Sequence, residues 1–206
     1  ISVGTTAFAK CLSLTSITLG SGLQTIGDFA FSDNKITGVI TIPSTVTSIG
    51  TGAFSSTAST YGQTLTNIIV DKNNENYTSE NGLLMDKDKT KVIAYASNSS
   101  ISITIPSTVT TIEDYAMSAS KSNLVSLTLP SNLKYIGEAG LAMLPVGVLN
   151  IPSSVTDIGK YAFYNYKSSQ SINFNCTQDY ALTNFDQYFL SNCSATVTCT
   201  EALQND

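Results

Sequence analysis

The sequence has no histidine and no tryptophan. Without imidazole, Ser-His-Asp and Cys-His nucleophilic catalysis and every His-ligated metal site are excluded. Charge is scarce as well. Only 12 % of the 206 residues are charged, about half the usual quarter. Ten Lys+Arg face fifteen Asp+Glu, a net charge of −5. Phosphate neutralisation needs a basic surface, so nucleic acid is excluded as a partner, and a basic membrane-surface role loses support. Long apolar runs are also missing. The richest stretch, Gly140 to Ile151, contains Pro145 and is too short to span a bilayer. Signal-peptide features and an initiator Met are absent, and Ile1 falls inside a repeated phrase, which reads as a fragment whose address has been removed.

Ser, Thr, Asn and Gly take the place of charge, and they recur at fixed positions. LTSITLGSGLQTIGDFAF runs from Leu14 to Phe31, and ITGVITIPSTVTSIGTGAF from Ile36 to Phe54. Further copies begin at Ser102, Ser126 and Val148, a partial copy ends at Phe8, and a decayed one starts at Ser171. The Gly or Pro after the first apolar pair falls at Gly20, Pro43, Pro106, Pro130 and Pro152, in steps of 23, 63, 24 and 22. The long step holds one degenerate unit with an insertion over 71–100.

Each unit has a physical reading. Ile40-Thr41-Ile42, Ile103-Thr104-Ile105 and Leu127-Thr128-Leu129 alternate with the period of a half-buried strand. Pro then removes a backbone donor and ends the strand. A second apolar step follows, as in Val109…Ile112. Gly27, Gly50, Gly137 and Gly159 are expected to permit a backbone turn that a side chain would oppose. Ala30-Phe31, Ala53-Phe54 and Ala162-Phe163 close the unit, with Phe filling the interior. One unit cannot bury its apolar residues alone, but stacked units can.

The phrase, with its step of about 23 residues, resembles the BspA-type leucine-rich repeat family. The resemblance covers roughly residues 1–175; Gly20, Glu113, Met117 and Gly140-Leu141 depart from it at turns or conserve volume. It implies a β-rich α/β fold: a right-handed solenoid of about seven stacked units with short parallel strands, one unit carrying a hairpin. Residues 176–206 are expected to form an irregular C-terminal cap, with Tyr180, Phe185, Tyr188 and Phe189 covering the last coil. No equivalent cap precedes Val3, which predicts either further N-terminal chain or a covered edge.

Few residues suggest chemistry. Cys11 sits in a repeat position and is expected to be a small buried side chain. Cys176, Cys193 and Cys199 cluster near the end and allow one disulfide, Cys176–Cys193 or Cys193–Cys199. A Cys-only metal site lacks its fourth ligand. Asp86 and Asp88 alternate with Lys between Leu83-Leu84-Met85 and Val92-Ile93-Ala94, which predicts a solvated hairpin turn and not a calcium loop. Sequons at Asn76, Asn98, Asn175 and Asn192 are of the kind this composition produces by chance. No cofactor fingerprint is present, and no enzyme is expected.

The candidate binding face is a column. The outward middle residues of the first strands are Thr18, Thr41, Ile69, Thr104, Thr128, Asn150 and Asn173, with Ser16, Val39, Asn67, Ser102, Ser126, Val148 and Ser171 beside them. A second face follows Thr25, Ser48, Thr111, Tyr135 and Asp157. Family members are commonly exported bacterial surface proteins, several of them adhesins. The resemblance therefore implies a non-enzymatic, extracellular or cell-surface protein that binds host-matrix or neighbouring-cell proteins. Glycan binding through Tyr61, Tyr77, Tyr95, Tyr164 and Tyr166, or a passive spacer role, are the alternatives.

Overall fold

The computed structural model describes residues 1–56, 64–119, 122–176 and 184–201. These contain seventeen strands and no α-helix. In chain order they are β1 (Ser2–Val3), β2 (Thr25–Ile26), β3 (Thr37–Ile42), β4 (Ser48–Ile49), β5 (Thr64–Val70), β6 (Tyr77–Glu80), β7 (Leu83–Asp86), β8 (Lys91–Tyr95) and β9 (Ser102–Thr104). There follow β10 (Thr111–Ile112), β11 (Ser126–Thr128), β12 (Tyr135–Ile136), β13 (Val148–Ile151), β14 (Asp157–Ile158), β15 (Ser171–Cys176), β16 (Asn184–Phe185) and β17 (Thr196–Glu201).

The chain is a solenoid whose coils stack in parallel. First strands pair as β3–β5, β9–β11 and β13–β15–β17. Second strands pair as β1–β2–β4 and β8–β10–β12–β14–β16. The second column has eight strands, so the solenoid has about eight coils where the phrase count suggested seven. β16 and β17 keep register with β14 and β15, so the coil geometry outlasts the phrase beyond residue 176.

Each coil closes its third side with turns, and the expected α/β solenoid is in detail all-strand. Bonds there span three residues, as in Ala30 N–H to Gly27 O (3.2 Å) and Ser32 N–H to Phe29 O (3.1 Å). Phe29 and Asp33, at φ 53° and 52°, stop any helical continuation. Pro43 follows the last residue of β3 and Pro152 that of β13, as strand terminators should. Their carbonyls accept from Val46 N–H (3.2 Å) and Val155 N–H (3.1 Å), turning the chain. The expected strand around Ile17-Thr18-Leu19 is not formed. This outermost stretch is tied to its neighbour β3 by a bond in which Thr37 N–H of β3 donates to Thr15 O (3.0 Å).

A side chain would be opposed at the phrase glycines, as expected, and what opposes it is the neighbouring coil. Gly50 and Gly137 do not have positive φ; they sit where the coil behind approaches most closely. A Cβ at Gly137 would lie 2.4 Å from Asp114 Oδ1 and 2.5 Å from its backbone N, and Gly50 has the same relation to Asp28. Glu113 occupies the equivalent position over the hairpin, which has no such turn. There it pairs with Lys91 at 2.9 Å.

The interior is filled by the inward apolar residues of the coils. Phe31 and Phe54 stack face to face there at 5.7 Å, and the exposed Phe8 stacks on Phe31 at 5.5 Å. Met117 and Leu141 continue that position, and Phe163 meets Tyr166, Phe174 and Phe189 edge-on at the far end. The insertion divides this core. β6, β7 and β8 form an antiparallel meander, and β8 joins β10 in parallel. Leu84 packs with the preceding coils, whereas Leu83 and Met85 pack with the following ones.

Candidate binding faces

Parallel pairing aligns the outward first-strand residues as the sequence implied. Thr41 lies opposite Ile69, and Thr104 opposite Thr128. Asn150 lies opposite Asn173, and Asn173 opposite Thr198. Thr18, Thr41, Ile69, Thr104, Thr128 and Asn150 are exposed, and Asn173 is half-buried. The amides form a ladder: Asn173 Nδ2 donates to Asn150 Oδ1 (3.0 Å), and Thr198 Oγ1 to Asn173 Oδ1 (2.6 Å). No charged residue occurs in β3, β5, β9, β11, β13 or β15. Ile101 and Val125, 63 % and 65 % exposed, lie side by side at the edge of this face, where Val125 N–H donates to Ile101 O at 2.8 Å. Sequence reading passed over them because they precede the repeated phrase.

The face is interrupted between β5 and β9, which do not pair. A groove of about 530 Å³ opens there, between Asn67 on one bank and Ser102 and Thr104 on the other, with Asn81 and Ser99 within it. It offers hydroxyls, amides and two strand edges.

The second face is more ionic. Lys91, Thr111, Tyr135 and Asp157 form one row. Asp114 Oδ1 accepts Glu138 N–H (2.7 Å) and the Tyr135 phenol (3.4 Å). Burial, then the Asp114 charge, raises the Tyr135 phenol above its ordinary range. This column breaks between β4 and β8. Tyr77 stands in the gap, where its Oη accepts Ile49 N–H at 2.9 Å, beside a groove of about 430 Å³. Asp86 is committed to its hairpin turn: it accepts Thr90 N–H and Lys91 N–H (both 2.7 Å) and the Thr90 hydroxyl (2.6 Å).

Two expectations are corrected. Neither disulfide pairing through Cys193 holds, because Cys193 is a free thiol packed against the core beside Tyr166. Cys199 is disulfide-bonded, Cys11 is free and half-buried, and the side chain of Cys176 lies outside the described residues. Among the tyrosines, Tyr95 and Tyr166 are core residues, and Tyr61 lies outside the described residues. Tyr166 Oη donates to Leu141 O at 3.1 Å, which satisfies its one polar atom inside the tube. Of the sequons, Asn76, Asn175 and Asn192 are exposed and Asn98 is half-buried.

The model of the BspA-type leucine-rich repeat region matches residues 1–81 and 90–203 in six copies. The chain belongs to the BspA-type leucine-rich repeat family. Solved structures share its fold. The pneumococcal vaccine antigen PcpA is 20 % identical, with a TM-score of 0.66 over 98 % of this chain and 55 % of its own. A leucine-rich cell surface protein from Faecalibacterium prausnitzii is 24 % identical, with a TM-score of 0.70 over 98 % and 57 %. A leucine-rich repeat protein from Eubacterium ventriosum is 22 % identical, with a TM-score of 0.67 over 97 % and 70 %. The chain thus spans little more than half the length of the first and of the Faecalibacterium protein. A search of curated proteins finds no match. Among the described residues, no helix is long and apolar enough to cross a membrane.

Proposed function

We propose that this chain is a non-enzymatic interaction module of a cell-surface protein, which docks onto host-matrix or neighbouring-cell proteins through its first-strand face. The observation that carries the proposal is the set of uncharged outward residues aligned in register within each first-strand ladder: Thr41 with Ile69, Thr104 with Thr128, and Asn150 with the half-buried Asn173. A parallel ladder holds the residues of each strand pair about 4.8 Å apart, and little side-chain entropy is lost when Thr, Asn and β-branched residues are covered. The Ile101–Val125 pair adds apolar area, and the groove between β5 and β9 presents strand edges to an extended segment of a partner. The surface location is supported by the similarity to PcpA, a vaccine antigen, and to the Faecalibacterium cell surface protein. Individual contacts on such a face are weak, and avidity comes from array length and copy number.

The test presents the folded chain, as a monomer and clustered on beads, to immobilised extracellular-matrix proteins and to intact cells. Retention by a subset of these surfaces, stronger for the clustered form, is expected. Uniform absence of retention with folding intact refutes docking by this segment and leaves a spacer role.

A further inference from the structure

The turn side of the solenoid, away from the proposed docking face, carries a column of its own. Two residues after each phrase Gly (or Glu113) stand Phe29, Gly52, Tyr115, Ala139 and Tyr161, all at positive φ of 53°, 59°, 60°, 48° and 59°. Only glycine adopts this conformation without cost. The others are held by bonds between coils: Tyr115 N–H donates to Glu138 O (2.7 Å), Ala139 N–H to Lys160 O (2.9 Å) and Tyr161 N–H to Tyr188 O (3.2 Å). Ring and small residue alternate along the column, so each small residue leaves a gap two coil rises wide, about 10 Å.

The two gaps differ. The one over Gly52 is filled by the Phe29 ring, which would lie 2.5 Å from a Cβ there and meets Tyr115 edge-on at 5.1 Å. The one over Ala139 is open. It is a slot of about 340 Å³ walled by Tyr115 on one side and by Tyr161 and Tyr164 on the other, with Ala142 and Met143 beside Ala139. The walls are fixed from outside. The Tyr115 phenol donates to Glu138 Oε1 at 2.5 Å, and the Lys160 ammonium sits 4.6 Å from the Tyr161 ring centre. Tyr161 and Tyr164 brace each other edge-on at 5.9 Å. Ser118 also lines the slot. It is 4 % exposed, and its hydroxyl has no hydrogen-bond partner among the described residues. A buried unpaired hydroxyl is costly, about 1–3 kcal/mol in general, and an occupant with a hydroxyl edge is the kind of partner it lacks.

We propose that this slot binds a single pyranose residue of a neutral glycan. A saturated sugar ring has a C–H face for the tyrosine walls and a hydroxyl rim for Ser118 and Ser191. The size fits the low end of small-ligand sites. The net charge of −5 disfavours acidic sugars. A proline-rich peptide is the competing occupant, since aromatic grooves also take polyproline segments.

The test uses the whole chain on a panel of immobilised neutral and sialylated oligosaccharides, with proline-rich peptides alongside. Retention by neutral oligosaccharides is expected. Ala139→Tyr fills the slot with a residue that Tyr115 and Tyr161 show the same backbone accepts. Tyr161→Ala removes a wall. Each lowers retention about tenfold, while Tyr135→Ala on the second-strand face leaves it unchanged. Saturation-transfer NMR from tyrosine ring protons to a retained oligosaccharide reads the same contact in the unmutated protein. Absence of glycan retention, retention unchanged in a folded Ala139→Tyr protein, or capture of proline-rich peptides alone overturns the assignment. None of these results bears on docking through the first-strand face.

Discussion

At the residue scale, the phrase is a set of contacts between coils more than a set of local conformations. Asp28 and Asp114 each turn a carboxylate oxygen to the coil ahead, taking Thr51 N–H at 2.8 Å and Glu138 N–H at 2.7 Å. The glycine facing each carboxylate is required by proximity. Gly137→Ala therefore forces Asp114 or the backbone of the coil behind to move, costing about 1–3 kcal/mol. A lowered midpoint in urea unfolding checks this; an unchanged midpoint would show that the coils have slack the structure does not display. Sequence alone identified these glycines as places that oppose a side chain, but not that the neighbouring coil is what opposes it. The positive φ is adopted two residues later, by Phe29, Tyr115, Ala139 and Tyr161, where residue type carries no such signal. The strand ends, by contrast, were legible, because Pro43, Pro106, Pro130 and Pro152 act through their own covalent structure. The exposed tyrosines were not. Exposure depends on which side of the coil a residue leaves, and Tyr164 and Tyr166, two positions apart, end on opposite sides of the wall.

At the element scale, the insertion is held by buried amides. Asn74 is fully buried; its Nδ2 donates to Pro43 O (2.8 Å) and Val46 O (3.0 Å), and its Oδ1 accepts Asn76 N–H and Tyr77 N–H (both 2.8 Å). This one side chain ties the start of β6 to the turn after β3. Asn74→Ala is expected to destabilise the chain by about 2–4 kcal/mol, since each lost bond is worth about 0.5–1.5 and buried groups are left unpaired. Thermal melts of the variant check the loss, and a shift below about 1 kcal/mol would contradict it. The hairpin was readable from its alternating carboxylates and lysines between two apolar runs. Its consequence was not: β8 replaces a second strand while the turn side bypasses the insertion, with Ser56 bridging directly to Ala119. The breaks between β5 and β9 and between β4 and β8, and hence both polar grooves, follow from that bypass.

At the scale of the whole molecule, stability in a stack of coils is a sum over neighbours. Here the sum has a seam. One core cluster runs from Leu23 through Leu84 to Ala96, and the other from Leu83 to Phe174, meeting at β7. Hydrogen exchange read by mass spectrometry should resolve two cooperative blocks, with the boundary within 83–96. A single block with uniform protection across β7 would contradict this division. The parallel stacking that makes the seam also makes the proposed docking face, because it brings the outward residue of a first strand, a threonine or asparagine in every coil but that of Ile69, into line with its neighbour.

That face is tested most directly by placing charge on it. Thr104→Lys and Thr128→Lys, combined in one protein, put two like charges side by side at the centre of the column. Thr25→Lys and Ser48→Lys do the same on the second-strand face. Retention of each folded protein on the matrix proteins and cells that hold the unmodified chain is then compared. The account predicts that the first pair abolishes retention and the second leaves it intact. Equal retention by the two proteins, or loss only with the second pair, would contradict docking through the first-strand column.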